Sequence, residues 1–472
     1  MRGLASATQR LRRLILASTT PSAAAAANSV GKRVDALPLG PAHLLLIGLC
    51  ALTFAVDLSE MALGGALSAI FSTPPHRLDP TRLSWLVASA YAGAILGAPV
   101  LGWVADRRGL RWTLTGVTFW LAFTSLLAAL SQGAGQLTLV RLASGLALGA
   151  YPPLMIAYLA DIAPRRRRGV MVFGVCALAY LGPPAAIFGI RALGAAPPFG
   201  IDAWRWPFAV SAALCLLTGL GFLIAPEAPR WLAAKGRLAE ALAAAARLGG
   251  AKAAGAELAV STPALAGVAS SLAPDTPVVA PVLRDFPRRL GFVTALYFLM
   301  PWASIAFPLV TGPILLARGF NLSQTLFYVG VATFGPTLGT VLVGGFIDRA
   351  PRPVALVVCS LLMAGAALLF FQTRDPQLLA VAVCGFGVLS ALYIPTMTLY
   401  GAERFTADTR SRATTVAWAV NRAASALAPI LLLPLVRGGQ IRPVELVIIA
   451  SLGVGVLLQL WRPQPLIHAP SV

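Results

Sequence analysis

Long charge-poor stretches dominate this sequence, and their length constrains the fold more than anything else in it. They run near residues 42–71, 83–104, 112–131, 136–160, 168–192 and 205–224, and again near 290–316, 324–346, 353–372, 376–400, 412–436 and 442–462. A helix needs about 20 predominantly apolar residues to cross the ~30 Å hydrocarbon layer of a bilayer, and each stretch supplies them. Only 11% of the residues are charged, against roughly a quarter in soluble domains. So much apolar surface cannot be hidden in a core surrounded by water. The pattern predicts an all-α, multi-pass membrane protein of twelve transmembrane helices in contact with the lipid bilayer.

The net charge of +20 does not point to nucleic acid, which needs a soluble basic face. Most of the 37 Lys and Arg fall in alternate loops, as the positive-inside rule demands of cytoplasmic segments. The bias predicts both termini in the cytoplasm, in a plasma membrane of the bacterial inner-membrane type. The five cysteines lie in apolar segments without metal-ligand spacing, so no metal is expected. No G-x-x-x-x-G-K-[ST] loop is present, so ATP-driven pumping has no support. No soluble catalytic domain stands out either. The chain reads as a non-enzyme without cofactors.

The two sets of six stretches repeat. GWVADRRG (102–109) follows the second, and GGFIDRAP (344–351) follows the eighth. A constant offset of 242 carries Gly102 to Gly344, Asp106 to Asp348 and Arg107 to Arg349. The same offset carries Asp161 to Glu403 and Arg168 to Arg410. Two pseudo-symmetric six-helix bundles follow, an arrangement typical of transporters with a site between the halves. The predicted organisation is a disordered cytoplasmic tail over 1–40, a first bundle over 41–224, a cytoplasmic linker over 225–289, a second bundle over 290–462 and a short tail over 463–472. Within the linker, RWLAAKGRLAEALAAAARLGG reads as an amphipathic helix, because Trp231, Leu232, Leu238 and Leu242 recur at helical spacing.

These residues resemble the major facilitator superfamily over nearly the whole chain. GWVADRRGLRWTL is similar to its signature loop after the second span, and RLASGLALGAYPPLMIAYLADIAPRRRRG to its fourth span and following loop. PEAPRWLAAKGRLAEA resembles the segment after span six in sugar porters and their organic-acid relatives. YGAERFTADTRSRATTVAWAVNRAASALAP is similar to spans ten and eleven of aromatic-acid:proton symporters, and AVDLSEMALGG to their acidic first-span motif, with Phe54, Ala55 and Val56 in place of its opening residues. The glutamines with which sugar porters hold hexose are missing from YFLMPWASIAFPLVTG and CALAYLGPP. The resemblance implies the major facilitator fold and a proton-coupled secondary carrier for a small organic carboxylate, such as an aromatic acid, working as a monomer by alternating access. A sugar or polyol carrier is the alternative, and a non-transporting receptor on the same scaffold a third reading.

Two sets of charges carry the chemistry. At the cytoplasmic loops, Gly102 and Gly109 suit a tight turn and close helix approach. Asp106 can meet the dipole of the next helix. Asp161 and Glu403, each followed by arginines, can form ion pairs between helices. The resemblance implies a gate from Asp106, Arg107, Asp161 and Arg168 with Asp348, Arg349, Glu403 and Arg410.

The second set sits inside the spans. A carboxylate at the bilayer centre costs about 2.5–3.5 kcal/mol on insertion scales, yet Asp57 and Glu60 share one face of the first span. Two such neighbours disfavour double ionisation. The resemblance implies that Asp57 and Arg141 form a proton-sensitive pair, with Glu60 beside it. Arg422 lies near the middle of span eleven, and the second bundle offers no mid-span acid. A buried guanidinium needs an anion or several acceptors, which helix carbonyls can also provide. A substrate carboxylate can supply the anion; pairing with Asp57 or Glu60 across the interface is another reading. Asn421, Trp418, Tyr297, Trp302 and Tyr393 are the candidate neighbours of that substrate. The prolines of spans five and seven free backbone groups and favour bending, which a gating helix can use.

Overall fold

The computed structural model describes residues 23–249, 279–346, 351–405 and 407–461, nearly all of them helical. Helix α1 (Ala23–Ala36) precedes the first bundle. That bundle contains α2 (Pro41–Ile70), α3 (Pro80–Arg108), α4 (Leu110–Leu130), α5 (Ala134–Ile162), a broken fifth span made of α6 (Arg168–Ala179) and α7 (Gly182–Leu193), and α8 (Arg205–Ile224). Two short helices follow, α9 (Pro229–Ala234) and α10 (Leu238–Gly249). The second bundle opens with a seventh span in three pieces, α11 (Val279–Leu299), α12 (Pro301–Ser304) and α13 (Ala306–Ala317). It continues through α14 (Leu322–Phe346), α15 (Arg352–Gln372), α16 (Pro376–Ala402), α17 (Ala407–Arg437) and α18 (Ile441–Leu460). Among the described residues, 11 helices are long and apolar enough to cross a membrane. The 25-residue α14 completes twelve spans. The end of the molecule that carries α9 and α10 is called the linker end below, and the opposite one the far end.

Local chemistry sets the helix boundaries. Asp79 caps α3, accepting hydrogen bonds from the amides of Thr81 and Arg82 at 3.1 Å, and Pro80 opens the first turn. Asp375 and Pro376 do the same for α16, with the amides of Gln377 and Leu378 at 2.8 and 3.0 Å. Such caps satisfy amides that a helix start leaves unpaired. Leu139, Leu446 and Leu460 are exposed, as side chains facing hydrocarbon should be.

The internal repeat extends to how the helices cross. A Cβ on Gly93, Gly97, Gly145 or Gly149 would run into the backbone of the facing helix in the α3–α5 pair. In the α14–α16 pair the same holds for Gly335, Gly339 and Gly387. The offset of 242 maps Gly93, Gly97 and Gly145 onto these three, while Gly149 maps onto Ala391. In lipid, where apolar surface gives no association force, close backbone packing of this kind holds helices together. Overpacking a core costs typically about 1–3 kcal/mol and occasionally more, and here the obstacle is rigid backbone. Gly145→Val should therefore cut the yield of monodisperse protein in detergent severalfold, as read by size-exclusion chromatography. Gly102→Val, at a position with open space around it, should leave it unchanged.

The linker end differs from the expectation in two ways. Residues 1–40 are predicted to be a disordered tail, but 23–36 form α1. Its alanine run has high helix propensity. Val30 and Val34, one turn apart, are fully buried against Leu232, Ala233, Ala241, Ala244 and Ala245. Asp35 fastens it by accepting hydrogen bonds from the Arg230 guanidinium at 2.7 Å and the Arg165 amide at 2.9 Å. The amphipathic helix expected after span six is two helices, because Gly236 takes a left-handed conformation (φ 76°) between them. Residues 250–278 of the expected linker, and the tail beyond 461, lie outside the described residues.

Candidate functional site: charges buried between the bundles

Four ionisable side chains lie within the spans between mid-depth and the far end. Asp57 and Glu60 on α2 are 2% and 1% exposed, and Arg141 on α5 is 1% exposed. Arg422 on α17 is half-buried. The expectation set Asp57 against Arg141. In the structure Arg141 belongs with Glu60: its Nη2 donates to the Glu60 carbonyl at 3.2 Å, and its charge acts on the Glu60 carboxylate. Asp57 instead feels Arg422 of the opposite bundle. Depth explains the exchange. At 1.5 Å per residue, Glu60 lies about 4.5 Å nearer the far end than Asp57. It thus comes closer to the level of Arg141, seven residues into α5 from that end. Asp57 lies about 20 Å from the far end of its helix and Arg422 about 23 Å from the far end of α17.

Neither acid closes a direct salt bridge with its arginine among the described residues. Glu60 is held by the Ser125 hydroxyl of α4, which also lies 2.7 Å from the Leu121 carbonyl. Asp57 Oδ1 is buried without a hydrogen-bond partner, as are Nε and Nη1 of Arg141. The Arg141 guanidinium lies 5.9 Å from the Phe208 ring. The Arg422 guanidinium lies 5.6 Å over the ring of Trp418, one turn earlier on the same helix, and Trp418 meets Tyr297 edge-on at 5.3 Å. Tyr91 of α3 stands within electrostatic reach of both arginines.

The other predicted substrate neighbours divide. Asn421 is buried and donates through Nδ2 to the Tyr297 carbonyl at 3.0 Å. It braces the wall behind Arg422. Trp302 packs on Phe298 at 6.0 Å, with its indole Nε1 buried and unpaired. Tyr393 does not join the cluster: its hydroxyl points toward Gly455 of α18 and Ser360 of α15, inside the second bundle.

At the linker end the expected gate is rearranged. Gly109 does turn the chain, with φ 101°, and a Cβ there would strike the carboxylate of Glu227. Gly102 has open space around it and mediates no close approach. Asp106 is exposed in the last turn of α3 and does not reach the next helix start. Glu227 takes that place, accepting from the Arg111 amide at 2.9 Å while the Arg111 guanidinium donates to the Ala225 carbonyl at 2.8 Å. Arg107 stacks 3.9 Å over Trp103. Asp161 accepts from the amides of Arg230 and Trp231 at 2.7 and 2.9 Å, at the start of α9, instead of pairing with the arginines that follow it. Tyr158 donates to the Pro226 carbonyl at 2.7 Å. The Nε of Arg168 is buried without a partner. Glu403 pairs with Arg352 at 3.0 Å. Asp348 and Arg349, and the side chain of Arg410, lie outside the described residues. Sequence reasoning missed Asp35, Glu227 and Arg230. The last two stand in the quoted PEAPRW stretch, where an acid and a base flank a proline that starts a helix.

Comparison with known proteins agrees with this architecture. The family model described as Major Facilitator Superfamily matches residues 49–469. The inner membrane metabolite transport protein YgcS of Escherichia coli K12 is 28% identical over 468 residues, covering 94% of this chain and 98% of that protein. The galactose-proton symporter of the same organism is 30% identical over 196 residues, covering 42% of this chain and 40% of that protein. Among solved structures, a partially occluded inward open conformation of the xylose transporter XylE from E. coli superposes with a TM-score of 0.71. That match has 15% sequence identity and covers 92% of this chain and all of that one. On its twelve spans, its repeated bundles and its match to the family model, this chain belongs to the Major Facilitator Superfamily of secondary transporters.

Proposed function

We propose that the protein is a proton-coupled symporter for a small organic carboxylate, with both termini and the linker end in the cytoplasm. The reading rests on Arg422. This guanidinium is half-buried at the bundle interface, stacked on Trp418, with no hydrogen bond or salt bridge among the described residues. A cation so placed is costly without an anion, and its planar fork suits a carboxylate. Asp57, across the interface, serves as its counter-ion while the site is empty. When cargo arrives, the carboxylate takes over Arg422 and a proton neutralises Asp57, so the loaded site carries no uncompensated charge. The Trp418 and Tyr297 rings offer apolar surface for the rest of the ligand. The Glu60–Ser125–Arg141 group stays within the first bundle and tunes the charge at the site. The relatives named as sugar-proton symporters favour proton coupling, and also a sugar as the rival cargo.

The deciding measurement is uptake into proteoliposomes under an imposed inward proton gradient. Benzoates, hydroxy acids and nicotinate would be compared with xylose and galactose, after a thermal-shift screen of the same compounds, since bound ligand raises the apparent melting temperature by mass action. Concentrative uptake of an acid and none of the sugars is expected. Uptake of sugars alone would overturn the carboxylate assignment.

A further inference from the structure

Proline has no amide hydrogen to donate to the carbonyl four residues before it, whether it stands inside a helix, as Pro313 does, or opens the next piece of a broken span, as Pro184 and Pro301 do. Inside a membrane that acceptor must find another donor. Pro184 releases the carbonyl of Tyr180, Pro301 that of Tyr297 and Pro313 that of Leu309. In the broken spans five and seven these three are met by a side chain from a different span: Thr337 Oγ1 donates to Tyr180 at 3.0 Å, Asn421 Nδ2 to Tyr297 at 3.0 Å and Ser68 Oγ to Leu309 at 3.0 Å. The Asn421 bond lies within the second bundle. The other two cross between bundles. Ser68 of the first span reaches α13 of the seventh, and Thr337 of the eighth reaches the break in the fifth.

We infer that these two bonds are latches that hold the bundles together against opening toward the far side, one at the far entrance and one at mid-depth, each built from a proline-released carbonyl on one bundle and a hydroxyl on the other. Ser68 sits two residues from the far end of α2 and is fully buried. The helices touch closely there: a Cβ on Gly65 would lie 3.1 Å from the Pro308 carbonyl, and one on Gly312 3.0 Å from the Ala69 side chain. The Ser68 hydroxyl is also 2.7 Å from the Gly65 carbonyl, but Gly65 has the Ala69 amide of its own helix. Leu309 has no such alternative. Opening the far side therefore breaks the Ser68 bond, and the bared carbonyl is then rehydrated by the water that enters. The Thr337–Tyr180 bond fastens the interface at mid-depth by the same means.

This inference rests on the alternating-access reading but not on the identity of the cargo, so it is tested without ligand. Spin labels at Gln132→Cys and Gln377→Cys, exposed far-end positions in opposite bundles, would report the opening by pulsed electron paramagnetic resonance in lipid nanodiscs, with the native cysteines replaced. Ser68→Ala should lower the ratio of closed to open far-end populations about five- to tenfold, the size expected when one buried acceptor loses its donor. Pro313→Ala gives Leu309 an amide of its own helix and should shift the ratio in the same direction. The double variant should shift it no further than Ser68→Ala alone. Thr337→Val, close in shape but without a donor, should widen the far-end distances independently. Unchanged distance distributions in Ser68→Ala and Thr337→Val would overturn the latches, as would strictly additive effects of Ser68→Ala and Pro313→Ala.

Discussion

Arg422→Ala is expected to abolish saturable uptake of the acid while leaving the protein folded. Truncating one member of a desolvated, hydrogen-bonded charge pair costs about 2–5 kcal/mol, a loss of roughly thirtyfold to several thousandfold in affinity. Arg422→Lys should fall between, since an ammonium keeps the charge but not the two-pronged geometry. Binding measured by scintillation proximity separates this from a turnover defect. Equal affinity in the wild type and Arg422→Ala would remove the arginine from the binding site. The Asp57 carboxylate, left without its counter-ion, should make the empty Arg422→Ala protein less stable than one in which Asp57 is also neutralised. Asp57→Asn in the Arg422→Ala background should therefore recover part of the melting temperature.

Asp57→Asn by itself should disconnect cargo from protons. An amide cannot gain or lose a proton in the cycle, and it offers Arg422 only a neutral oxygen. Exchange of labelled for unlabelled substrate across equilibrated membranes should persist, whereas accumulation driven by an imposed pH gradient should fall to the level of empty liposomes. Glu60→Gln tests the division of duties between the two acids. Glu60 sits with Ser125 and Arg141 inside one bundle, so its loss should slow turnover without ending accumulation. If Asp57→Asn still concentrates substrate with the gradient and Glu60→Gln does not, the proton site moves one turn along α2.

The architecture was legible because lipid leaves few choices. Span length, loop charge and the offset of 242 follow from the bilayer's thickness and from duplication, and both survive substitution of individual side chains. The charge pairing was legible only as a second reading, Arg422 against Asp57 or Glu60 across the interface, and not which acid meets which arginine. Asp57 and Glu60 lie about 60° apart around one helix, so a face shared in sequence separates into two directions once neighbours are packed. Which arginine each acid meets depends on the depth at which α5 and α17 present them. The first-bundle half of the expected gate is rearranged for a related reason. Sequence sets Asp161 against the arginines that follow it and Asp106 against the next helix start, but Asp161 accepts from backbone amides at the start of α9 and Glu227 takes the place of Asp106. The N-terminal helix escaped notice because its apolar face is only Val30 and Val34 among alanines, too small to signal burial until the linker helices supply the other wall.

The glycine crossings imply a division between stiffness and compliance. Spans two and four, and eight and ten, are pressed backbone to backbone and run as unbroken helices through their own prolines, Pro99, Pro152, Pro153, Pro336 and Pro395. Bending has to be found elsewhere, in spans five and seven, whose helices are interrupted at Tyr180–Leu181 and at Met300 and Ile305. The carrier would then work as matched planks joined by pliant struts, with conformational work concentrated in those two interrupted spans.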